Sequence, residues 1–530
     1  DASIAVVGQA ATSSNATGGY SIIVPAEREI VLRFAYPGAE TVERTLKLKA
    51  GETRSLDVMI RSSVIGPVTV TDDRLRDAGI DKLNARTSHF QPSLGDVNSL
   101  LQGSLGVMTR NELSSGYNVR GGNFDENLVY VNGIEVYRPF LVRSGQQEGL
   151  SFPNPDMIER IHFSAGGWEP RYGDKLSSVL DITYKRPREF DAIVSASLLG
   201  GSVTVGSAMA HQRLRQITGF RYRTLSTILK GLDTKGDYVP TYTDLQSYWT
   251  YDLSDKVEIG FLGLYSRNRY DVTPQDRETE LGNFNQALRY TVYFEGQERT
   301  AYETWSGALS LTARPSPRTV LKFTGSAFNT YETERMDILG EYRLGELDRN
   351  LASEQFGEVV RDLGIGAYLD HARNSLEATV LSATHTGSFF WGRGNNLQWG
   401  LEARTERIND RLSEWYVVDS AGYSIPQSSG AVLELNTSVK TKIDLESVRT
   451  SAYVQNAWEW KTGRDRSWAL VAGVRGQNWS YNGQTVFSPR LRLAYHPGWR
   501  KVVAAGDTVP RDYSFWFATG VYYQPPFYRE

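Results

Sequence analysis

The chain has 530 residues, a length typical of several domains or of one large β structure. Its formal net charge is −3 with 22% charged residues, which provides neither a basic surface for nucleic acid nor an acidic tail. Cysteine is absent and the six histidines have no paired spacing, so disulfides, thiol chemistry, a metal site and a cofactor are not expected.

Aromatic residues make up 12% of the chain, with 29 Tyr and 12 Trp. No run approaches the roughly 18–20 apolar residues that a transmembrane helix needs. A transmembrane β-barrel remains open, because its strands alternate apolar with polar residues. The sequence begins at Asp1 without a signal peptide, which predicts a mature or truncated form.

Residues 1–62 are predicted to form a small β-sandwich. Gly, Pro, Asn and Glu turns separate its short apolar runs. The predicted strands are Ala2–Val7, Tyr20–Val24, Ile30–Tyr36, Val42–Leu48 and Leu56–Ile60. The segment has no grouping of Ser, His and Asp and no metal ligands, which favours a binding or spacer module without catalysis.

Residues 63–71 form a predicted linker. Pro67 prevents a helix, and the four residues that follow it are an extended, β-branched stretch. Such a stretch can add itself as a strand to the open sheet edge of a partner, although any strand-prone linker has this composition.

Residues 72–187 are predicted to be a compact α+β domain that begins with a helix. Ser93 and Asp96 are helix-start residues. The apolar stripe that follows them consists of Val97, Leu100, Leu101 and Leu105. Further on, two apolar runs flank Asn132-Gly133, which predicts a β-hairpin because this pair tolerates positive φ. Residues 156–187 add a strand, a Gly-rich turn and a final strand.

The Gly121-Gly122 pair could belong either to a nucleotide-binding loop or to a tight turn between strands. Neither GxGxxG nor GxxxxGK[ST] occurs, and the next residues include Asp125 and Glu126, which would repel phosphate. A tight turn between strands is favoured, with these two carboxylates as solvated loop residues.

Residues 188–530 consist of predicted strands with one apolar and one polar side. In Leu397–Arg404 the residues Leu, Trp, Leu and Ala alternate with Gln, Gly, Glu and Arg. Trp305–Thr312 and Leu321–Thr324 alternate in the same way. Lipid outside and water inside a barrel require this pattern.

Aromatic residues and connection lengths also favour a barrel. Aromatic pairs at predicted strand ends suit interfacial girdles; these are Tyr248/Trp249, Trp415/Tyr416, Trp458/Trp460 and Tyr522/Tyr523. Short connections alternate with long polar ones at about 272–299, 332–372 and 405–447. The segment holds about 14 strands, against roughly 22 in plugged outer-membrane transporters. We therefore expect about eight strands to lie outside this chain, either in an absent C-terminal part or on a second polypeptide.

Six segments of the α+β domain match, in order, the plug motifs of TonB-dependent receptors. The family motifs are LxxxPGV, an RG turn, LVxxDG, IERIEVxxGP, YG and GGVINIxTK. Their counterparts are Leu100–Val107, Val119–Gly122, Leu128–Gly133, Ile158–Gly167, Tyr172–Gly173 and Ser177–Lys185. Residues 72–187 therefore resemble the plug domain of these receptors.

Three departures separate the chain from the best-known siderophore receptors. Ser104-Leu105 replaces the usual Pro, Gly167-Trp168 replaces Gly-Pro, and Ser177–Val179 replaces the Gly-Gly pair. Residues 1–62 resemble the carboxypeptidase-regulatory-like domain that precedes many receptors, here without its opening strand. The chain is thus similar to the SusC-like branch.

The resemblance implies a 22-stranded type of transmembrane β-barrel, incomplete here and occluded by an α+β plug, in the outer membrane of a Gram-negative bacterium. It implies no enzymatic activity, but binding of an extracellular ligand and its import by energised plug remodelling. The implied partners are the TonB-ExbB-ExbD complex, outer-membrane lipid, and a surface lipoprotein or other outer-membrane protein.

The resemblance also assigns roles to residues. The candidate TonB box consists of Val68, Thr69, Val70 and Thr71. The plug motif residues are Arg120, Gly121, Gly122, Asn132, Gly133, Gly166, Gly167, Tyr172 and Gly173. Ligand-contact candidates on the plug are Tyr137, Arg138, Phe140, Arg143, Gln146 and Gln147, whose aromatic, guanidinium and amide groups can stack and hydrogen-bond. The alternative interpretation is a structural role, in which this segment packs the plug against the barrel wall.

Two alternatives remain open at this point. A plugged barrel could serve as a scaffold subunit of an outer-membrane secretion or assembly complex, with nearly the same sequence. A soluble all-β binding protein, a propeller or sandwich, is the second alternative.

Overall fold

The computed structural model describes most of the chain. The described residues are 3–6, 11–15, 19–35, 42–58, 80–83, 97–108, 116–137, 152–173, 175–226, 236–283, 286–392, 394–419, 435–462, 466–504, 507–510 and 513–526. They form two compact units, Asp1–Asp73 and Arg74–Glu530.

The first unit is built on a four-stranded antiparallel sheet with the order β2-β1-β3-β4. Its strands are β1 (Ser3–Val6), β2 (Ala11–Ser13), β3 (Ile30–Ala35) and β4 (Val42–Leu46). Alternate residues of β1 and β3 point to one side, where Ile4, Leu32 and Phe34 form a buried core.

The predicted strand Tyr20–Val24 is wrong, because this segment joins no ladder among the described residues. It is extended and packs Tyr20, Ile22 and Val24 against the core, while Ile23 is 96% exposed. Alternating side chains can therefore cover a sheet face without strand pairing. Val58, in the predicted strand Leu56–Ile60, also packs on this core outside any ladder, and the short strand β2 was not predicted.

The second unit begins with a mixed five-stranded sheet of order β5-β10-β11-β8-β9, in which β8 and β11 run parallel. Strands β6 and β7 form a separate two-stranded antiparallel sheet. The strands are β5 (Asp81–Leu83), β6 (Val107–Met108), β7 (Asn118–Val119), β8 (Asn127–Val131), β9 (Ile134–Glu135), β10 (Ile158–Ser164) and β11 (Ser178–Tyr184). Single 3₁₀ turns occur at Phe124–Glu126 and Pro155–Met157.

Helix α1 (Val97–Leu101) packs on this sheet, with Val97, Leu100 and Leu101 buried as the predicted stripe requires. The extension of the stripe to Leu105 is wrong, because the helix ends at Leu101 and Leu105 is 91% exposed. Ser93 and Asp96 lie outside the described residues. No helix in the described part of the chain has the length and apolar character to cross a membrane.

A 14-stranded sheet follows, whose neighbouring strands are antiparallel. Its first thirteen strands are β12 (Asp191–Ser197), β13 (Gly200–Met209), β14 (Leu214–Thr224), β15 (Gly236–Ser254), β16 (Val257–Pro274), β17 (Arg277–Asn283), β18 (Gln286–Ser316), β19 (Thr319–Leu347), β20 (Val359–Trp391), β21 (Asn395–Asp419), β22 (Thr437–Lys461), β23 (Ser467–Trp479) and β24 (Gln484–His496). A hairpin of β25 (Arg500–Ala504) and β26 (Asp507–Pro510) precedes the last strand, β27 (Phe515–Gly520), which pairs with β24.

The strands of the large sheet have an inner face that contacts the plug sheet and an outer face that does not. On β21, Leu401 points outward and is 57% exposed, whereas Arg404 points inward, is buried, and binds Glu135 of β9. Outward side chains form an apolar belt that includes Phe261, Leu309 and Phe323. This arrangement agrees with the alternation predicted from the sequence.

The predicted long connections are wrong, because the structure has paired strands at these positions. Residues 272–299, 332–372 and 405–447 consist largely of the ends of long strands, which pair in continuous register from β18 to β22. Polar residues occupy both faces here, so the apolar and polar alternation that marks a strand within the membrane is lost.

The predicted aromatic girdle is only partly correct. Trp458 and Trp460 lie at the tight-turn end of β22, as a girdle requires. Tyr248 instead faces inward and is buried with the plug core, and Tyr522 packs against Trp168 of the plug with ring centroids 4.8 Å apart.

Candidate functional site

The Arg120–Gly122 turn follows β7 and leads towards β8, a tight turn between strands as predicted. Arg120 and Gly121 have positive φ values of 49° and 83°, and the Gly122 N–H donates to the Val119 carbonyl at 2.9 Å. A Cβ added to Gly122 would lie 1.7 Å from Ser177 Oγ. The glycine therefore permits the close approach of the segment before β11.

Asp125 and Glu126 are not the solvated loop residues that the sequence predicted. The Ser177 hydroxyl donates to Glu126 at 2.5 Å, and the Gln524 amide donates to the Asp125 carboxylate at 3.2 Å. Both carboxylates thus accept hydrogen bonds within the fold, one from the plug and one from the chain after β27.

Asn132-Gly133 forms the predicted hairpin turn between β8 and β9, with φ values of 52° and 76°. The Asn132 side chain accepts a hydrogen bond from the Tyr184 N–H at 2.9 Å. Its carbonyl accepts from the Lys322 ammonium on β19 at 2.7 Å. This turn is therefore fixed both to the plug sheet and to the surrounding strands.

Two of the remaining motif glycines, Gly167 and Gly173, lie where the large sheet is in close contact with the plug. A Cβ on Gly167 would lie 2.6 Å from Ala518 Cβ, and a Cβ on Gly173 would lie 2.3 Å from Arg475 Nε. Gly166 and Gly167 also have positive φ. Beside them, the Tyr172 hydroxyl donates to Asp181 at 2.6 Å and ties the turn to β11.

One set of contacts between plug and wall is centred on Arg404 of β21. Its guanidinium lies 2.5 Å from Glu135 of the plug and 2.7 Å from Glu402 of its own strand. It also lies over the Tyr137 ring at 4.9 Å, and this ring is 5.4 Å from that of Phe328. Burial raises the pKa of Tyr137 well above its usual value, and the Arg404 guanidinium opposes this rise.

A second set of contacts is centred on Glu169 of the plug. Arg492 of β24 lies 2.7 Å from its carboxylate, and the Gln455 amide of β22 donates to it at 2.9 Å. Arg490 donates to the backbone carbonyls of Glu169 and Tyr172 at 3.1 and 2.5 Å. A partly buried acidic side chain is thus paired with an inward arginine and accepts a hydrogen bond from an inward amide.

A third set holds the segment before β10 and the end of β11. Arg221 of β14 pairs with Asp244 of β15 and donates to the Phe152 and Pro153 carbonyls at 3.0 and 3.2 Å. Arg186, which follows β11, makes a bidentate ion pair with Glu258 of β16, with both N–O distances at 2.9 Å.

The sequence did not single out Arg404, Arg492 or Arg221, which hold the plug to the wall. The available signal was an arginine at an inward position of an alternating strand, where a water-filled channel or a polar partner is required. Their partners lie far away in the chain, so only the folded sheet brings them together.

The candidate ligand residues are only partly described. Tyr137 lies against the wall through Arg404 and Phe328, the position that the packing interpretation gives to this segment. Candidates outside the described residues are Arg138, Phe140, Arg143, Gln146, Gln147 and the TonB box candidate Val68–Thr71. No group of three or more metal-ligating side chains occurs among the residues that the structure describes.

Comparisons with known proteins identify the plug. Residues 83–178 match the family described as the TonB-dependent Receptor Plug Domain. No curated protein matches the chain. Among solved structures, the outer membrane transporter YddB from Escherichia coli is 12% identical, with a TM-score of 0.52 over 79% of this chain and 58% of that one. The RagAB peptide importer is 8% identical, with a TM-score of 0.51 over 84% of this chain and 60% of that one.

Residues 83–178 thus match a TonB-dependent receptor plug domain, and the strands that follow them have the fold of outer-membrane β-barrels such as that of YddB. Receptors with this plug domain are transport proteins of the Gram-negative outer membrane, not enzymes. The present chain spans 58% of the length of YddB and 60% of the RagAB chain. The tight turns of such barrels face the periplasm, and the long strand ends face the outside.

Proposed function

We propose that this protein binds an extracellular ligand and imports it when energised remodelling of the plug opens the barrel. The observation that carries this proposal is the set of polar contacts between plug and wall, which lie beside an apolar contact of the plug core with Ile217, Tyr248, Leu262 and Ala308 of the wall. Arg404, Arg492 and Arg221 hold the plug by ion pairs and by hydrogen bonds to backbone carbonyls. Interfaces of this polar kind resemble those between domains that move relative to each other.

Water can replace such contacts at moderate cost, whereas the plug's own core is apolar. Residues of α1, β8, β10 and β11 form that core, with Val97, Leu101, Ile161 and Leu180 fully buried. A pulling force would therefore separate the polar contacts first, and the core would then lose its contacts with Ile217, Tyr248 and Leu262 of the wall and open. This difference supports remodelling of the plug within the barrel.

The pulling partner is proposed to be the TonB-ExbB-ExbD complex, acting on Val68–Thr71. An extended segment of β-branched residues can pair with the sheet edge of TonB through its backbone. Residues 1–62 are proposed to be a carboxypeptidase-regulatory-like domain, and a surface lipoprotein or other outer-membrane protein is a further proposed partner.

A cysteine reporter in the plug tests the proposal. The chain has no cysteine, so Ser178→Cys places a single thiol at a fully buried plug position. We expect a periplasmic maleimide to label this thiol in energised cells and to label it slowly after an uncoupler is added. The second variant, Ser178→Cys with Val70→Pro, should label slowly in both conditions, because proline removes a backbone donor from the TonB pairing.

The matched control combines Ser178→Cys with Val70→Thr, which keeps the backbone donor and the β-branched shape. It should label like the single variant. Equal labelling with and without energy, in a barrel that still shows heat-modifiable migration on a detergent gel, would refute energised remodelling.

A further inference from the structure

The strands β18 to β22 extend far beyond the membrane. They have 25 to 33 residues each, whereas a tilted membrane-spanning strand needs about 9–11. Their outer parts form one continuous paired sheet, which we call the projecting sheet. It consists of residues 286–298, 334–344, 366–374, 410–418 and 437–445.

The projecting sheet has an inner face continuous with the face that binds the plug. Side chains two residues apart share a face, so Phe328 and Arg404, which contact the plug, assign the even positions of β19 and β21 to the inside. The register transfers this assignment to the even positions of β18 and β20 and to the odd positions of β22.

The inner face of the projecting sheet carries aromatic rings from four adjacent strands. Tyr290 lies 6.3 Å from Tyr342, Phe294 lies 6.5 Å from Tyr368, and Tyr368 lies 6.0 Å from Tyr416, measured between ring centroids. A Cβ on Gly340 would lie 2.5 Å from the Tyr368 ring, so this ring covers a glycine on the neighbouring strand. Tyr290 is 38% exposed, which leaves ring surface accessible.

The basic residues of the projecting sheet all lie on its outer face, whereas acidic residues lie on both faces. The inner positions of its five segments carry acidic residues and no lysine or arginine; these are Glu298, Glu334, Asp370, Asp410 and Glu414. Basic residues occupy the outer positions and are Arg289, Arg335, Arg343, Arg373, Arg411, Lys440 and Lys442. Arg277 of β17 is the one basic residue at the edge of the inner face, opposite Val292.

Asp370 lies near the Tyr368 and Tyr416 rings, and two other acidic groups share one amide donor. One amide, that of Asn374, donates to both Glu334 and Glu414, at 3.0 and 2.5 Å. Asp370 is two residues from Tyr368 on the same face, and burial raises the pKa of its carboxyl above the usual value. A cation placed beside these carboxylates would stabilise their ionised form.

We propose that the inner face of the projecting sheet binds the imported ligand through ammonium or guanidinium groups, an inference that rests on the proposed transport function. Carboxylates attract such cations, and tyrosine faces bind them through the ring quadrupole. A neutral sugar could stack on the rings but would not account for five inward acidic residues. An anionic ligand would be repelled.

Binding of a fluorescein-labelled tetra-arginine peptide to the purified full chain in detergent tests this inference by fluorescence anisotropy. The triple variant Glu334→Gln, Asp370→Asn, Glu414→Gln should bind about tenfold more weakly, because each partly exposed charge pair contributes a few-fold. Tyr368→Leu should also weaken binding, by about threefold, through the lost cation–π contact. Unlabelled spermidine should compete if the site recognises cations in general, and only tetra-arginine should compete if it requires guanidinium groups.

The matched control is the triple variant Glu295→Gln, Glu341→Gln, Glu377→Gln, which removes the same charge from outer-face positions of β18, β19 and β20. It should bind the peptide as the unchanged protein does. An equal loss in this control, equal binding of tetra-glutamate, or tighter binding of maltoheptaose would each overturn the inference. If the projecting sheet does not bind the cationic peptide, the labelling of the Ser178→Cys reporter is still expected, so the two proposals are tested separately.

Discussion

Gly122 is the residue on which the packing of the plug turn depends most directly. An added Cβ would lie 1.7 Å from Ser177 Oγ, 2.9 Å from Ser177 Cβ and 2.6 Å from Glu126 Oε2. The Ser177 N–H and hydroxyl both donate to Glu126, which restricts how far either side chain can retreat. The hydrogen bonds between Ser177 and Glu126 thus require a residue without a Cβ at position 122.

We therefore predict that Gly122→Ala destabilises the plug by about 1–3 kcal/mol, the usual cost of overpacking. The plug should become cleavable by protease at lower denaturant concentration, while the barrel still shows heat-modifiable migration. Combining Gly122→Ala with Ser177→Ala should restore part of the stability, because the closest atom is then removed.

Gly103→Ala is the matched control for this substitution. Its nearest neighbour would be the Leu100 carbonyl at 3.7 Å, an ordinary contact, and its φ is not in the left-handed region. Protease resistance close to that of the unchanged protein is expected. If Gly122→Ala were as resistant as this control, the close contact would not limit the plug.

The sequence predicted the turns of this plug better than the residues that hold it in place. Asn132-Gly133 was identified because a type I′ turn needs two adjacent residues that tolerate positive φ, which is a local property. Arg404 binds a plug carboxylate 269 residues away, and Arg492 binds one 323 residues away. No local pattern specifies a partner at that separation.

At the scale of the strand, β21 presents arginines to two different environments. Arg404 points inward, where its side chain is 5% exposed and pairs with Glu135 and Glu402. Arg407 points outward, where its side chain is 66% exposed and lies 3.4 Å from Glu446. Two ion pairs on one strand therefore differ mainly in burial, which decides how strongly each one matters.

Arg404→Leu is predicted to loosen the plug by about 3–5 kcal/mol, because it leaves buried carboxylates without their cation. Protease sensitivity of the plug and its thermal unfolding by calorimetry would measure the change. The double variant Arg404→Leu with Glu135→Leu should be less destabilised than the single variant.

Arg407→Leu serves as the control on the same strand. We expect it to change stability by about 0–1 kcal/mol, the range of exposed ion pairs. Similar losses for Arg407→Leu and Arg404→Leu would contradict a special role for the buried pair.

The strands also differ in how well the sequence predicted their ends. Within the membrane, alternation of apolar and polar residues marked Leu397–Arg404 correctly as strand. Above the membrane, β19 and β20 continue to the turn at 348–358 with polar residues on both faces. Pairing with neighbouring strands, and not their own periodicity, keeps these parts extended. The sequence consequently predicted long connections where the structure has long strands.

For the whole molecule, the large sheet must satisfy lipid on its outer face and a polar plug on its inner face. The outer belt is apolar around β16, β18, β19, β21 and β24, with Phe261, Leu309, Phe323, Leu401 and Phe487 all exposed. In water this much exposed apolar surface would be unfavourable, whereas in a bilayer it is covered by lipid tails. The exposed belt is what a barrel in the outer membrane requires.

Leu401→Arg is predicted to oppose membrane insertion by about 2–4 kcal/mol, because the substitution places a cation on the lipid face of the belt. The fraction that folds into phospholipid vesicles should fall, measured by heat-modifiable migration on a gel. Leu351→Arg is the matched control, since Leu351 is 85% exposed in the turn between β19 and β20, well outside the belt. It should insert like the unchanged protein, because its new charge stays in water. Equal insertion of both variants would show that Leu401 does not face lipid and would contradict the assignment of the outer belt.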